Sequence, residues 1–181
     1  MKEYVNDWED DLHIIVENAG EVTKWAISQV RPLPQFVDAK VALLGDSAHA
    51  MVPYIGAGAG QAIEDAFILG RLLASPLVSR NNVANVLKVY EDIRKPISQD
   101  AASRSLKMGY LMELHPDYLP EDADVDKVKA GDHVQLEKVA NAMQDVWSFH
   151  STNMPGECWE RASEMLVQIL EAVPRKDEDD V

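Results

Sequence analysis

The chain has 181 residues, of which 46% are hydrophobic, and its 31 acidic and 17 basic side chains give a net charge of −14. Its length and hydrophobic content suit one globular domain, whereas the acidic balance argues against nucleic acids and anionic membrane surfaces as partners, because both attract Lys and Arg. A single cysteine excludes an internal disulfide, and the absence of a signal peptide and of a membrane-length apolar run predicts a cytoplasmic protein without a membrane span.

The first part of the chain predicts one helix and one strand. Residues 6–18 place apolar side chains on one helical face, with Asn6 as the predicted N-cap. Residues 21–30 alternate loosely between apolar and polar side chains, a pattern that is typical of a strand. Pro32 and Pro34 then interrupt any regular element. The strand would need partners elsewhere, because the backbone groups of a lone strand stay unpaired.

A turn, a strand, a glycine-rich loop and a helix follow. Residues 36–40 predict the turn, and the apolar run Val41–Leu44 predicts a short strand covered on both faces. Asp46 follows the carboxyl end of that strand, which is where open α/β sheets bind ligands. The glycines of the loop allow a ligand to approach the backbone closely, and helical spacing then extends over Gly60–Leu73.

The remainder of the chain predicts three helices. Residues 82–112 form a long predicted helix, in which Pro96 is expected to cause a kink. Residues 132–149 and 155–173 predict two more helices. The second has a clear apolar face that indicates contact with a core or a partner rather than a cofactor site. Residues 174–181 predict a disordered acidic tail.

One ordered motif gives this chain a family resemblance. Residues 45–66 read G-D-S-A-H-A-M-x-P-x-x-G-x-G-x-G-Q-A-x-E-D-A. This motif resembles the second flavin-binding motif of single-component, FAD-dependent aromatic hydroxylases, most closely those of the salicylate hydroxylase group. Weaker likeness flanks the motif at Trp25 and residues 31–34 on one side and at residues 90–91 and 94–96 on the other, and no diagnostic residues follow until close to the C-terminus. Residues 147–150 have a faint likeness to the tail of the family.

The resemblance covers only the C-terminal part of such an enzyme. Family members open with a G-x-G-x-x-G turn that holds the ADP half of FAD, and residues 56–61 fail that fingerprint because the loop after Leu44 is too long for a tight turn. The resemblance implies a predominantly helical α/β fold, which is a partial Rossmann-like FAD-binding domain without its N-terminal βαβ ADP-binding unit. The expected divisions are a remnant of the substrate domain (1–30), the C-terminal part of the FAD-binding domain (31–114), a helical extension (115–173) and the tail (174–181).

The resemblance also implies a flavin site. Asp46 would accept hydrogen bonds from ribityl hydroxyls of FAD, and the amides of residues 58–60 would face the pyrimidine edge of the flavin, where a helix N-terminus stabilises negative charge. Pro53 would shape the pocket for oxygen and flavin. NADH or NADPH would donate electrons, and a small aromatic molecule would be the substrate. The implied cofactor-binding residues are Gly45, Asp46, Gly58, Ala59 and Gly60.

Each of these features also has a structural interpretation. Asp46 is a residue type that often caps a turn, and the glycine-rich loop could serve only as a turn. His49 is interpreted as a hydrogen-bonding residue of the motif rather than a metal ligand, because no His, Cys or Glu cluster completes a metal site. Glu64 and Asp65 are interpreted as acidic residues that complement the positive end of a helix.

Two functions are open at this point. In the first, the chain is the FAD-binding C-terminal portion of an aromatic-ring monooxygenase that uses NAD(P)H and O₂, and this portion is inactive alone. In the second, the chain is an orphaned fragment or an acidic helical interaction module that retains a relic flavin motif. Exposed apolar faces would favour self-association in either case.

Overall fold

The computed structural model describes Val5 and residues 8–172, and helices dominate this part of the chain. The prediction of a predominantly helical chain is therefore confirmed, whereas the predicted N-cap Asn6 and the predicted tail at 174–181 lie outside the described residues. In chain order the elements are α1 (Asp10–Asn18), β1 (Val37–Asp38), β2 (Val41–Ala42), α2 (Asp46–His49), α3 (Gly58–Leu73), α4 (Val83–Met112), α5 (Val125–Lys129), α6 (His133–Trp147) and α7 (Pro155–Ala172), with 3₁₀ turns at Pro116–Tyr118 and Ser148–Ser151.

Helix α4 is the central element of the core. It packs against α3, α6 and α7, and its fully buried side chains include Val86, Tyr90 and Ile93. The predicted long helix is confirmed, and it continues past Pro96, whose ring is exposed. The kink at this proline stays a prediction. No described helix, α4 included, has both the length and the apolarity that crossing a membrane requires.

Helix α7 covers α3 and α4 with one apolar face. Its buried residues Cys158, Ala162 and Leu166 are spaced four apart, so they lie on the same side of the helix. They join the core cluster that α3 and α4 build. The interpretation of this stripe as a core contact is confirmed, and the C-terminal part of the chain thereby belongs to the same core as the motif.

The strand predicted at residues 21–30 is wrong. These residues are irregular and almost all exposed, and Trp25 is 82% exposed. A backbone hydrogen bond from the Val30 amide to the Ala50 carbonyl (2.9 Å) holds the end of the segment. A strand requires a neighbour for its N–H and C=O groups, and the described sheet consists of β1 and β2 alone.

The strand predicted at Val41–Leu44 is shorter than expected. Its first two residues form β2, which pairs antiparallel with β1 in the register Val37 with Ala42 and Asp38 with Val41. The side chain of Val41 is 65% exposed, so the prediction of cover on both faces is wrong. Two-sided cover requires layers above and below a larger sheet, and the described residues supply only this hairpin. The Rossmann-like part of the fold class and the four domain divisions stay predictions.

Helix α4 contacts the loop before α3 at Gly109. A Cβ atom built on this glycine would lie 2.4 Å from Cε2 and 2.5 Å from Cδ2 of Tyr54. Real Cβ atoms do not come so close to other carbons, so the ring of Tyr54 occupies space that only a glycine leaves free. This contact fixes one point of the loop that leads into α3.

We expect Gly109→Ala to lower the free energy of unfolding by about 1 kcal/mol, because overpacking costs about 1–3 kcal/mol and the better helix propensity returns only about 1 kcal/mol. In a Tyr54→Ala background, the same change is expected to raise the stability by up to about 1 kcal/mol, because the ring is gone. Urea denaturation measures both effects.

The matched control for this prediction is Gly70→Ala in α3. A Cβ on Gly70 meets no described atom within 4 Å, so this change is expected to stabilise the protein in both backgrounds. An effect of Gly109→Ala with the same sign in both backgrounds would contradict the proposed overlap with Tyr54.

Candidate functional site

The motif begins with Gly45, where the backbone conformation and the close approach of α3 both favour a glycine. Gly45 has φ +59° and precedes α2, and its amide donates a hydrogen bond to Oδ2 of Asp65 in α3 (2.9 Å). A Cβ on Gly45 would lie 3.3 Å from Cβ of Ala62. The left-handed backbone and the close approach both favour glycine. As a result, the turn that carries Asp46 lies directly against α3.

Asp65 is the buried centre of the motif. Its side chain is fully buried and accepts hydrogen bonds from Arg94 Nε (2.8 Å), His49 Nε2 (2.6 Å) and the Gly45 amide. Arg94 is itself fully buried and also contacts Glu64, at 2.7 Å from Nη1. The interpretation of Asp65 as a charge that complements a helix terminus is therefore wrong, since the residue lies within α3 and pairs with α4.

The sequence pattern of α3 contains a signal for this network, because a carboxylate stands among the residues of its buried face. The buried residues of α3 are Gln61, Asp65, Ile68 and Leu72, which follow helical spacing on one face. A carboxylate at such a position needs a buried cation, because an unpaired charge is very costly away from water. Arg94 is the cation that α4 supplies.

The electrostatics of Asp65 follow from these contacts. Burial by itself raises the pKa of this carboxyl, but the hydrogen bonds from His49, Arg94 and Gly45 outweigh burial and hold the pKa below its ordinary value. Asp65 is therefore ionised at neutral pH. The interpretation of His49 as a local hydrogen-bonding residue is confirmed. Among the described residues, no cluster of three or more His, Cys, Asp or Glu could hold a metal ion.

The loop between α2 and α3 is anchored at several points. The hydroxyl of Ser105 donates to the carbonyl of Val52, and Nε2 of His150 contacts the carbonyl oxygen of Ile55 at 2.9 Å. Pro53 lies between these anchored positions, and its ring is exposed. The loop thus presents Pro53 outward while its backbone is held by residues from α4 and from the C-terminal part of the chain.

The N-terminus of α3 presents unpaired amides. The cap residue Ala57 has no side-chain hydrogen bond to offer, and the amides of Gly58, Ala59 and Gly60 have no partner among the described residues. A Cβ on Gly60 would meet no described atom within 4 Å. The fold itself therefore leaves room for a larger residue at this position.

Asp46 is an exposed polar residue of the motif. Its carboxylate has no hydrogen-bond partner in the described part of the chain, and it follows Gly45, which contacts α3 at Ala62. Ala62 lies about half a turn beyond Gly60. The structure therefore brings Gly45 and Asp46 to the first turns of α3, where the other predicted cofactor-binding residues lie. Pro53 precedes them in the loop.

We expect Asp65→Asn to lower the free energy of unfolding by about 3 kcal/mol, because the neutral amide leaves the buried guanidinium of Arg94 with the partly exposed Glu64 as its carboxylate partner among the described residues. Urea denaturation at neutral pH measures this loss. Asp46→Asn is the matched control. Its carboxylate is exposed and unpaired among the described residues, so its effect is expected to stay within about 0.5 kcal/mol.

The same contacts predict a pH dependence. The pKa of Asp65 is lower in the folded chain than in the unfolded chain, so its stabilising contribution is complete above the unfolded pKa of about 4 and is lost as pH falls through the folded pKa. The stability difference between the wild type and Asp65→Asn should therefore shrink on acidification below about pH 4. A difference that stays constant across that range would contradict this assignment.

Comparison with known proteins shows which family and which relatives this chain resembles. A family described as FAD binding domain matches residues 6–105. Salicylate hydroxylase of Pseudomonas putida is 40% identical over 107 residues, which cover 59% of this chain and 25% of that protein. Hispidin-3-hydroxylase of Neonothopanus nambi is 32% identical over 139 residues, which cover 76% of this chain and 33% of that protein.

The chain is also similar in structure to a solved salicylate hydroxylase substrate complex, with a TM-score of 0.55 and 35% identity over 72% of this chain and 29% of that one. The chain thus spans about a quarter to a third of the length of these relatives. Since the family match covers more than half of the chain, the protein belongs to the FAD-binding domain family.

Proposed function

We propose that this chain is the flavin-facing C-terminal portion of an aromatic-ring monooxygenase that uses NAD(P)H and O₂. The observation that carries the proposal is the row of three unpaired amides at the start of α3, which lies beside the turn of Gly45 and Asp46. When bound, FAD supplies the redox chemistry that links the nicotinamide to oxygen. The chain supplies position and charge.

The exposed groups suit the two ends of a flavin. The carboxylate of Asp46 can only accept hydrogen bonds, which matches the hydroxyls of a ribityl chain. The amides of residues 58–60 can only donate, and they stand at the positive end of a helix. They would stabilise negative charge at the pyrimidine edge by up to about 2 kcal/mol when partly buried. Pro53 has no N–H and would shape the neighbouring pocket without competing for the ligand.

The space around the glycines supports the same proposal. A Cβ on Gly58 would stand 3.9 Å from Cγ of Met51, which is an ordinary contact, and a Cβ on Gly60 would stand free of the described atoms. The fold therefore does not explain why glycine occupies these two positions. A ligand that lies against the backbone explains it, because any side chain would hold that ligand away from the amides.

The remaining assignments follow from the resemblance to aromatic hydroxylases. The names of the relatives point to an aromatic substrate, and we propose the same class here, with NADH or NADPH as the electron donor. Residues 31–114 would form the flavin portion, residues 1–30 would belong to a substrate domain, and residues 115–173 would form a helical extension. Because the chain spans a quarter to a third of its relatives, we propose weak FAD binding and no turnover by this chain alone.

We expect the chain to bind FAD with a dissociation constant in the micromolar range, and Gly60→Ala to weaken that binding about tenfold or more. Asp46→Ala is expected to weaken it by about 10- to 100-fold, the range that hydrogen bonds to a charged group cover. Quenching of flavin fluorescence measures both. Urea denaturation should show that neither variant is less stable than the wild type by more than about 0.5 kcal/mol.

Gly70→Ala is the control for this experiment, because it makes the same chemical change in the same helix away from the proposed flavin face. It should leave FAD binding unchanged. If the wild type did not quench flavin fluorescence, the alternative would stand, namely an interaction module that retains a relic motif. Oxidation of NADH or NADPH that depended on salicylate would contradict the proposal that the chain alone is inactive.

We also propose that the isolated chain self-associates through apolar side chains exposed on α3. Ile63 is 70% exposed and lies one turn from the partly exposed Phe67. Ile63→Gln is expected to weaken association, because it removes apolar area while adding no charge. Sedimentation velocity over a range of concentrations measures the effect. Val134→Gln, at an exposed position of α6, is the control and should sediment like the wild type.

A further inference from the structure

A histidine from the C-terminal part of the chain contacts the loop that precedes α3. Nε2 of His150 lies 2.9 Å from the carbonyl oxygen of Ile55, a residue 95 positions earlier. A carbonyl oxygen can only accept a hydrogen bond, so Nε2 carries the proton and donates it. The imidazole is also flanked by the rings of Trp147 and Phe149, with centroids 4.8 and 6.0 Å away. These rings restrict its orientation.

Packing between the loop and this segment is incomplete, although Ile55 and Phe149 are buried in the same core. A cavity of about 220 Å³ lies between them, and its lining includes Gly56, Ala57 and Gly60 on one side and His150, Thr152 and Asn153 on the other. Across that gap, the bond from His150 to Ile55 is the one hydrogen bond that joins the two segments among the described residues. A single polar contact therefore fixes this side of the loop.

Ile55 lies between the part of the loop that α4 holds and the start of α3, so its contact with His150 affects how the chain enters α3. Earlier in the loop, α4 holds the carbonyl of Val52 through Ser105 and the ring of Tyr54 at Gly109. After Ile55 the chain turns through Gly56, which has φ +64°, and enters α3. The amide of Ile55 also lies 3.4 Å from Oγ of Ser105. The carbonyl of Ile55 is thus the last group of the loop that a hydrogen bond ties to another part of the chain before the three unpaired amides.

We propose that His150 is a positioning residue for the flavin-facing loop, which fixes the direction in which the amides of residues 58–60 point. This inference rests on the proposed function, because those amides are the groups assigned to the flavin. His150 lies outside residues 6–105, the part of the chain that matches the FAD-binding family. The C-terminal segment therefore contributes to the flavin site indirectly, through the backbone of the loop.

The experiment compares His150→Phe, which keeps an aromatic ring and removes the donor, with His150→Gln, which keeps an N–H donor. Hydrogen–deuterium exchange of the chain without FAD is measured at the Gly56 amide, which donates to the carbonyl of Pro53 within the loop. FAD binding is measured by fluorescence quenching. His133→Phe, at an exposed site in α6, is the control.

We expect His150→Phe to raise exchange at Gly56 and to weaken FAD binding, each by about three- to tenfold, the range that one neutral hydrogen bond covers. His150→Gln should restore both quantities toward the wild type, whereas a contribution to packing alone would not be restored by an amide. His133→Phe should change neither.

The outcomes separate this inference from the proposed function. Unchanged exchange at Gly56 in His150→Phe would overturn the inference, and so would raised exchange with unaltered FAD binding. A wild-type chain that does not bind FAD would overturn the proposed function instead, and the exchange measurement would still decide whether His150 holds the loop.

Discussion

The ion pair between Asp65 and Arg94 is the constraint on which the rest of the described structure depends. Both side chains are fully buried, and removing two charges from water is costly unless each finds good partners. The structure meets this condition with the Gly45 amide, His49 and Glu64. Because each partner comes from a defined position, the pair fixes the register of α3 against α4 and the placement of the turn before α2.

The polar groups of the motif form two sets, one that is buried and paired within the fold and one that has no partner in the described part of the chain. Asp65 and His49 face inward, are paired and maintain the fold, whereas Asp46 and the amides at residues 58–60 face outward and have no partner among the described residues. Unpaired exposed groups add little to stability, so the fold alone does not account for them. The proposed flavin, with ribityl hydroxyls for Asp46 and acceptors for the amides, would account for them. The hydrogen bonds of Asp65 and His49 hold the turn and the helix that carry Asp46 and the amides of residues 58–60.

The C-terminal part of the chain belongs to the same folding unit as the motif. The family match ends at residue 105, yet α7 buries Cys158, Ala162 and Leu166 in the core that α3 and α4 form. In the turn that precedes α7, His150 contacts the loop before α3. The helical extension is therefore more than a cover, because it completes the core and tethers the loop on the side where a cavity leaves packing incomplete.

The sequence by itself determined the helices α3, α4, α6 and α7 and the family, because helical periodicity and an ordered motif are local properties of the chain. It failed where the outcome depended on distant residues. Residues 21–30 alternate as a strand does but have no described neighbour to pair with, and Val41 stays exposed for the same reason. Only the tertiary structure revealed that Asp65 is a buried ion-pair partner and that His150 contacts Ile55. Both contacts join residues far apart in the chain, and local patterns contain no information about which distant group will satisfy a buried charge or a loop carbonyl.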